Sequence, residues 1–420
     1  MAKLDWIVAQ ITAREHYAAA VCRQRQGRLR RLYTDVWAGG AAAWLSRGPR
    51  ALRAFASRRH PEIPRDKVTW FPIRAGVERL RSAARPARDS RELHLRYIEE
   101  GRWFCRAVNR HLEDFPADPD RHAYFGYDTG CLETLRVLRE RGVLTIVDQI
   151  DPAQVEERLV MEESRRWSGW ALSPDPAPRE YWARLGEEWR LADLVLVNSE
   201  WSRRALVEQG VEEGKIIVVP LAYEPAGPPP QPRPASGGTL RVLWLGSVIL
   251  RKGIPYLLEA ARLLVGEDVR FTVAGPLGIS REAVAAAPPN VEFVGRVTRD
   301  QAPALYRQAD LFVLPTVSDG FAITQIEAMS FGVPVVATPN CGEVVTPGRD
   351  GLIVPARDSR ALADVIQTLA RDRAALARMS AEAIVKSRSF TLEAFARRID
   401  EAVGRQRGES PGLWAEGGHR

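Results

Sequence analysis

The chain has 420 residues, 45% of them hydrophobic and 27% charged, which is too long for one ordinary core and implies two domains of roughly 200 residues. No apolar run reaches the roughly 18 residues of a spanning helix, and the opening MAKLDWIVAQ reads as a strand and not as a signal peptide. Cys22, Cys105, Cys131 and Cys341 stand far apart with no C-x-x-C spacing, so membrane-spanning, secreted and zinc-ribbon classes are excluded and a reducing cytosol is expected.

The net charge of +7 is unevenly spread: residues 1–110 hold 24 Lys and Arg against 10 Asp and Glu. Short apolar runs in the first half predict strands over 5–10, 68–72, 122–126, 143–148, 194–198 and 216–220, with helices over 91–112 and 131–141. His16 is expected at the start of the first helix, on the edge of a cleft. Within residues 27–60, Trp37, Trp44, Leu45, Leu52 and Phe55 are interleaved with Arg28, Arg30, Arg31, Arg47, Arg50, Arg53, Arg58 and Arg59. That mixture suits a helix lying in an anionic membrane interface. A partly packed insertion in an arginine-rich chain is the other reading, since only five of the basic residues are Lys. The segment VLTIVDQIDPAQVEE ends a strand in Asp148 and Asp151, where an open α/β sheet places its ligand. Asp151 before Pro152 reads equally as a helix N-cap.

Proline and glycine dominate EPAGPPPQPRPASGG, which predicts a linker over 223–238 between a domain at 1–222 and a second at 239–387. Strands are expected at 240–246, 269–275, 291–295, 311–315 and 333–337. The first two flank a helix that presents Leu257, Leu258, Ala261, Leu264 and Val265 on one face. Thr391, with Glu393 in the first turn, caps a last helix; the reading has residues 388–405 packing back on the first domain and 406–420 as a mobile tail. The fold class is α/β, with two Rossmann-like domains facing each other across a cleft.

The chemistry concentrates between 241 and 355. In WLGSVILRKG a strand runs through a loop into a helix start, and Gly246 and Gly253 bracket Lys252, a point charge suited to a diphosphate. In PTVSDGFAITQIEAMSFGVPVVATPNCGEVV, Asp319 and Glu327 stand eight positions apart. With a helix from near Phe321, Asp319 lies at its mouth, Glu327 sits about two turns in, and the amides of Gly320, Phe321, Ala322 and Ile323 form a second anion nest.

Residues 246–355 resemble the donor domain of family 4 retaining glycosyltransferases of GT-B fold. That family carries an R-x4-K pair and an E-x7-E motif. Lys252 matches the Lys of the pair, and Glu327, Ala328, Met329, Gly332, Pro334, Val335, Val336 and Ala337 match the second motif. The chain departs from the pattern at Ser247 for the Arg, Asp319 for the first Glu, Ala322 for a Gly, and QITAREHYAAAV for an N-terminal Gly-rich loop. The resemblance implies a donor site built from Gly246, Ser247, Arg251, Lys252, Gly275, Arg296, Val297, Asp319, Gly320, Phe321, Ala322, Ile323 and Glu327. Glu327 would hold the ribose, Asp319 the sugar, and the backbone near Arg296 and Val297 the base. Lys252, Glu327, Asp319 and Asp151 form the expected catalytic set, with His16, Asp148 and Asp151 on the acceptor side. The expected activity is metal-free, retaining transfer from a UDP- or GDP-sugar to a glycan, lipid-linked or small acceptor, without a cofactor, at the cytoplasmic membrane face. A sugar-nucleotide epimerase of the same fold, with Asp148 and Asp151 as acid and base, is the second reading. A nucleic-acid-binding protein using the basic block is the third; it leaves the donor motifs unexplained, so no nucleic acid is expected as a partner.

Overall fold

The computed structural model describes residues 4–38, 58–72, 74–76, 81, 85–171, 175–225, 230–233 and 237–408. Two parallel sheets organise them. The first contains β1 (Asp5–Gln10), β2 (Leu29–Thr34), β3 (Val68–Trp70), β4 (His122–Tyr127), β5 (Leu144–Gln149), β6 (Leu194–Val197) and β7 (Ile216–Val218), in the order β3-β2-β1-β4-β5-β6-β7. The second contains β8 (Leu240–Leu245), β9 (Val269–Ala274), β10 (Val291–Gly295), β11 (Leu311–Leu314), β12 (Val335–Ala337) and β13 (Gly351–Ile353), in the order β10-β9-β8-β11-β12-β13. The strand order reverses beside β1 in one sheet and β8 in the other, and such a switch opens a crevice at the carboxyl ends of the strands.

Helices α1 (Ala18–Arg25), α2 (Ser90–Asp114), α3 (Leu132–Glu140), α4 (Gln154–Arg166), α5 (Arg179–Leu191) and α6 (Glu200–Glu208) belong to the first half. The second contains α7 (Ile254–Leu263), α8 (Arg281–Ala285), α9 (Ala302–Gln308), α10 (Thr324–Ser330), α11 (Ser359–Arg371) and α12 (Arg373–Ser387). Strands such as LVLV at 194–197 and LFVL at 311–314 are buried throughout because helices cover both faces of each sheet. The last helix, α13 (Leu392–Gln406), is capped by the Thr391 side chain on the Ala394 amide and packs on the first domain. There Phe395, Ile399 and Val403 share a core with Trp6, Val8 and Val21. Asp400 accepts from Arg23, whose guanidinium lies 3.9 Å over the Trp6 ring.

Several expectations are corrected. Residues 29–34 of the basic segment are a strand inside the sheet and not an interfacial helix. Leu29 and Leu32 are buried in the core on one face of the sheet and Tyr33 in the core on the other, while the arginines find partners within the fold. Arg28 pairs with Asp400, Arg30 with His122, and Arg31 donates to the Asp66 carbonyl. Trp37 is buried edge-on to Tyr17. Arg47, Arg50, Arg53, Trp44, Leu45, Leu52 and Phe55 lie outside the described residues, as do 226–229 and 234–236 of the linker and 409–420 of the tail. Val265 is 49% exposed because α7 ends at Leu263, before Gly266 turns the chain. The helix expected from Phe321 begins three residues later, since Ala322 takes φ 61° and interrupts it. Asp151 is no helix N-cap: Ala153 precedes α4, and Asp151 closes the turn before it. Strands β2 and β13 had no counterpart in the sequence reading.

Candidate active site

Several of the residues expected on the donor side come together where the loops after β8 and β11 meet. Gly253 has φ 74°, and a Cβ there would stand 1.8 Å from the Pro315 carbonyl oxygen, so only glycine lets the loops touch. Val317 N and Thr316 Oγ1 both donate to the Arg251 carbonyl, at 2.8 and 2.9 Å, which ties one loop to the other. This lacing brings Lys252 Nζ against Asp319 Oδ2 as an ion pair with side-chain exposures of 18% and 13%. Burial and the adjacent Arg251 guanidinium draw the Lys252 ammonium down toward about 7, while Asp319 opposite favours the charged form. The amides of Gly320, Phe321, Ala322 and Ile323, which follow Asp319 directly in the chain, have no acceptor among the described residues.

The other expected donor residues divide. Glu327 sits in the first turn of a seven-residue helix, half-buried, and accepts from the Tyr306 hydroxyl at 2.8 Å. Ser247 is exposed, Gly246 and Gly275 pack against each other behind it, and Arg296 and Val297 follow β10 on the same rim. Phe321 is 2% exposed with its ring against Gly342, so its side chain belongs to the core and only its amide is free. Arg251 stands beside the Lys252–Asp319 pair, 3.9 Å from Asp319, but is engaged by other groups. Its guanidinium lies 3.4 Å from Glu156 of α4 and donates to the Ser318 carbonyl at 3.1 Å.

The first domain closes on this surface. A Cβ on Gly320 would stand 2.2 Å from the Ile150 carbonyl oxygen, so the β5 loop and the β11 loop are in direct contact. Glu343 accepts from the Glu200 and Trp201 amides at the start of α6, and Trp201 Nε1 donates to Ser318 Oγ at 3.3 Å. A cavity of about 400 Å³ lies between the domains, bounded by Asp151, Glu156 and Glu157 on one side and Ile249, Leu250 and Arg251 on the other. Asp151 Oδ1 accepts from Ala153 N and Gln149 Nε2, and burial with Glu156 nearby raises its carboxyl to about 7. His16 meets Arg299 of the second domain through Nδ1 at 2.8 Å, and burial plus that guanidinium lowers it to about 4.

Asp148 does not reach the cleft. It is 1% exposed, neither carboxylate oxygen has a hydrogen-bond partner among the described residues, and its charged neighbours are Glu15, Asp128 and Arg14. The acid/base pair that an epimerase would draw from Asp148 and Asp151 is therefore not assembled in the cleft. The loop QITAREHY takes positive φ at Thr12, Glu15, His16 and Tyr17, a path usually left to glycine. Sequence reading missed Glu156, Ser318, Trp201 and Glu343, which join the domains. Glu156, Val160, Glu163 and Trp167 recur at helical spacing, which was the available signal for a face of α4 turned to a partner.

Residues 239–372 match the family model described as glycosyl transferases group 1. The chain is 28% identical over 263 residues to D-inositol 3-phosphate glycosyltransferase of Pseudarthrobacter chlorophenolicus, covering 55% of this chain and 61% of that protein. It is 41% identical over 124 residues to the lipopolysaccharide core biosynthesis mannosyltransferase LpsB of Rhizobium meliloti, covering 28% and 35%. The alignments thus span less than two thirds of these curated relatives. Among solved structures, sucrose-phosphate synthase of Thermosynechococcus elongatus superposes with a TM-score of 0.66 at 16% identity, over 97% of this chain and all (100%) of that one. HepE of Anabaena in complex with UDP gives 0.61 at 15%, over 96% and 100%. The shared architecture is the GT-B fold of two facing Rossmann-like domains.

Proposed function

We propose that this chain, whose residues 239–372 form a glycosyl transferases group 1 domain, transfers a sugar from a nucleotide-diphospho-sugar to a hydroxyl of an acceptor held in the interdomain cavity. The observation that carries the reading is the Lys252–Asp319 pair beside the free amides of residues 320–323, at the carboxyl end of the second sheet. A cation and N–H groups fixed in a partly desolvated crevice stabilise the charge that develops on a leaving diphosphate. In this reading Glu327 would hold the ribose hydroxyls and Asp319 the sugar. The acceptor oxygen forms its bond to the anomeric carbon as the bond to the diphosphate breaks, and the hydroxyl proton leaves with the diphosphate. We read the transfer as retaining, independent of a metal, and served by UDP- or GDP-sugars.

A panel of UDP-, GDP- and ADP-sugars, scored by thermal shift and slow hydrolysis, tests this. A bound donor at 100 times its Kd stabilises the fold by about 2.7 kcal/mol. A chain that neither binds nor hydrolyses any of them has another function. Chelation by EDTA should leave turnover unchanged. The membrane-face placement is part of the same proposal, tested by sedimentation with anionic vesicles at low salt. Among the described residues no helix is long and apolar enough to cross a membrane.

A further inference from the structure

The interdomain cavity carries information about the acceptor that the donor side does not. Its volume of about 400 Å³ is that of a small-molecule site, and it is walled by both domains. One wall is aromatic: Tyr181 lies edge-on to His94 at 4.7 Å and to Trp182 at 5.0 Å, and all three line the space. Val160 and Met161 from α4 and Ile249 and Leu250 from the β8 loop supply an apolar floor. The charged groups are lopsided. Asp151, Glu156, Glu157 and Asp175 face Arg251 as the one cation among the described lining residues. Arg251 is already engaged by Glu156 and the Ser318 carbonyl. Glu157 is held in place by the Ala177 amide at 2.5 Å.

Carboxylates held in this way accept hydrogen bonds from hydroxyl or ammonium groups and repel phosphate, while the aromatic and apolar walls take the C–H faces of a ring. We propose that the acceptor is a polyol carrying no phosphate or carboxylate, a neutral or amine-bearing sugar whose hydroxyls and amine point to Asp151, Glu157 and Asp175. The inference rests on the transferase reading for the word acceptor, but the cavity's selectivity stands without it. It also sets this chain apart from relatives named for D-inositol 3-phosphate, an anionic polyol.

The probes are myo-inositol, glucosamine and inositol 3-phosphate, titrated onto the full chain at low salt and followed by saturation-transfer NMR. The expected result is that at least one unphosphorylated probe binds tenfold or more tightly than inositol 3-phosphate. Glucosamine ahead of myo-inositol identifies the amine as a ligand for the carboxylates, and parity identifies the hydroxyls alone. In the double variant Glu157→Gln, Asp175→Asn the gap should shrink at least threefold; if that protein does not fold, Asp175→Asn alone, at an exposed position, should shrink it in the same direction. Inositol 3-phosphate binding as tightly as the others, no binding by either unphosphorylated probe, or an unchanged gap in the folded variant overturns the proposal. Sugar-nucleotide hydrolysis, measured separately, reports on the transferase reading, so a chain that takes glucosamine but hydrolyses no donor loses that reading and keeps this one.

Discussion

Lys252 and Asp319 lie 67 positions apart and meet as an ion pair on the floor of the crevice, where a donor's diphosphate would also need the lysine. The carboxylate therefore occupies the cation that, in the proposed function, a donor would recruit. Asp319 is one methylene shorter than glutamate, and it is drawn onto the lysine by the same loop contacts that bring Arg251 and Ser318 together.

This relationship predicts opposite responses to two substitutions. Lys252→Ala removes a charge-assisted contact and should weaken both nucleoside diphosphate and sugar conjugate by roughly 1.5–3 kcal/mol, about ten- to 150-fold. Asp319→Ala frees Lys252, so nucleoside diphosphate alone should bind at least as tightly as before. The intact sugar donor should lose roughly 1.5–3 kcal/mol relative to that gain. Calorimetry on both ligands decides it; equal weakening by Asp319→Ala would mean that the carboxylate organises the loop and does not read the sugar.

Buried carboxyls give the first domain an unusual pH response. Burial raises Glu15, Asp151 and Glu188 to about 7 and raises Asp148 as well, so the folded chain binds more protons than the unfolded chain above the ordinary carboxylate range. Stability from groups raised in this way is fully present below their unfolded values and is lost as pH rises toward and through 7. Urea midpoints should accordingly fall between pH 5 and pH 8. Asp148→Asn replaces a buried carboxyl whose oxygens have no partner among the described residues and whose ionisation burial opposes, and should gain on the parent by on the order of 1–3 kcal/mol at pH 8 and little at pH 5. A variant that is weaker than the parent at both pH values would place an unseen partner on Asp148.

What the sequence made legible follows how locally each feature is encoded. Strand β1 and β10 were read with their full bounds because apolar runs are confined by flanking polar and glycine residues. The motif residues Lys252, Asp319 and Glu327 were read from spacing and resemblance. Strand β2 was missed because the adjacent Arg30 and Arg31 break any alternation, and their partners, His122 and the Asp66 carbonyl, are remote in the chain. Arg251 was expected on phosphate because only its neighbour was visible; Glu156, which claims it, lies on another domain. Asp148 was expected in the cleft because the end of a strand signals exposure, whereas Glu15 and Arg14, arriving from the β1 loop, cover it.

Gly253 offers a mechanical test of the donor loop. An added Cβ meets the Pro315 carbonyl and cannot relax at φ 74°, so Gly253→Ala must separate the two loops or abandon the left-handed turn. Strain at such a position costs on the order of 1–3 kcal/mol, and here the backbone clash adds to it. The variant should melt lower and lose donor binding together. A stable variant with unchanged nucleotide affinity would show that the loops need not touch for Lys252 to act.

A buried carboxylate also links the domains. Glu163 of α4 is fully buried; it accepts from the Tyr256 hydroxyl at 2.8 Å, and its other oxygen lies 2.8 Å from Arg357 Nε, a residue held at φ 67°. Trp167, one turn on, packs edge-on to Tyr256 at 5.6 Å, so a helix that follows a first-domain strand is anchored on the second domain. Glu163→Ala strands both Tyr256 and Arg357 and should cost about 3–5 kcal/mol, as broken buried pairs do. Glu163→Gln keeps the tyrosine contact and should cost less. Arg357→Gly also loses the pair but relieves a left-handed backbone worth roughly 1–2 kcal/mol, so its loss should fall below that of Glu163→Ala. Urea midpoints rank the three, and solution scattering reads the interdomain distance. The expected order is Glu163→Ala most destabilised and most expanded; a radius of gyration unchanged in all three would mean that the Gly320–Ile150 and Glu343 contacts hold the domains and α4 does not.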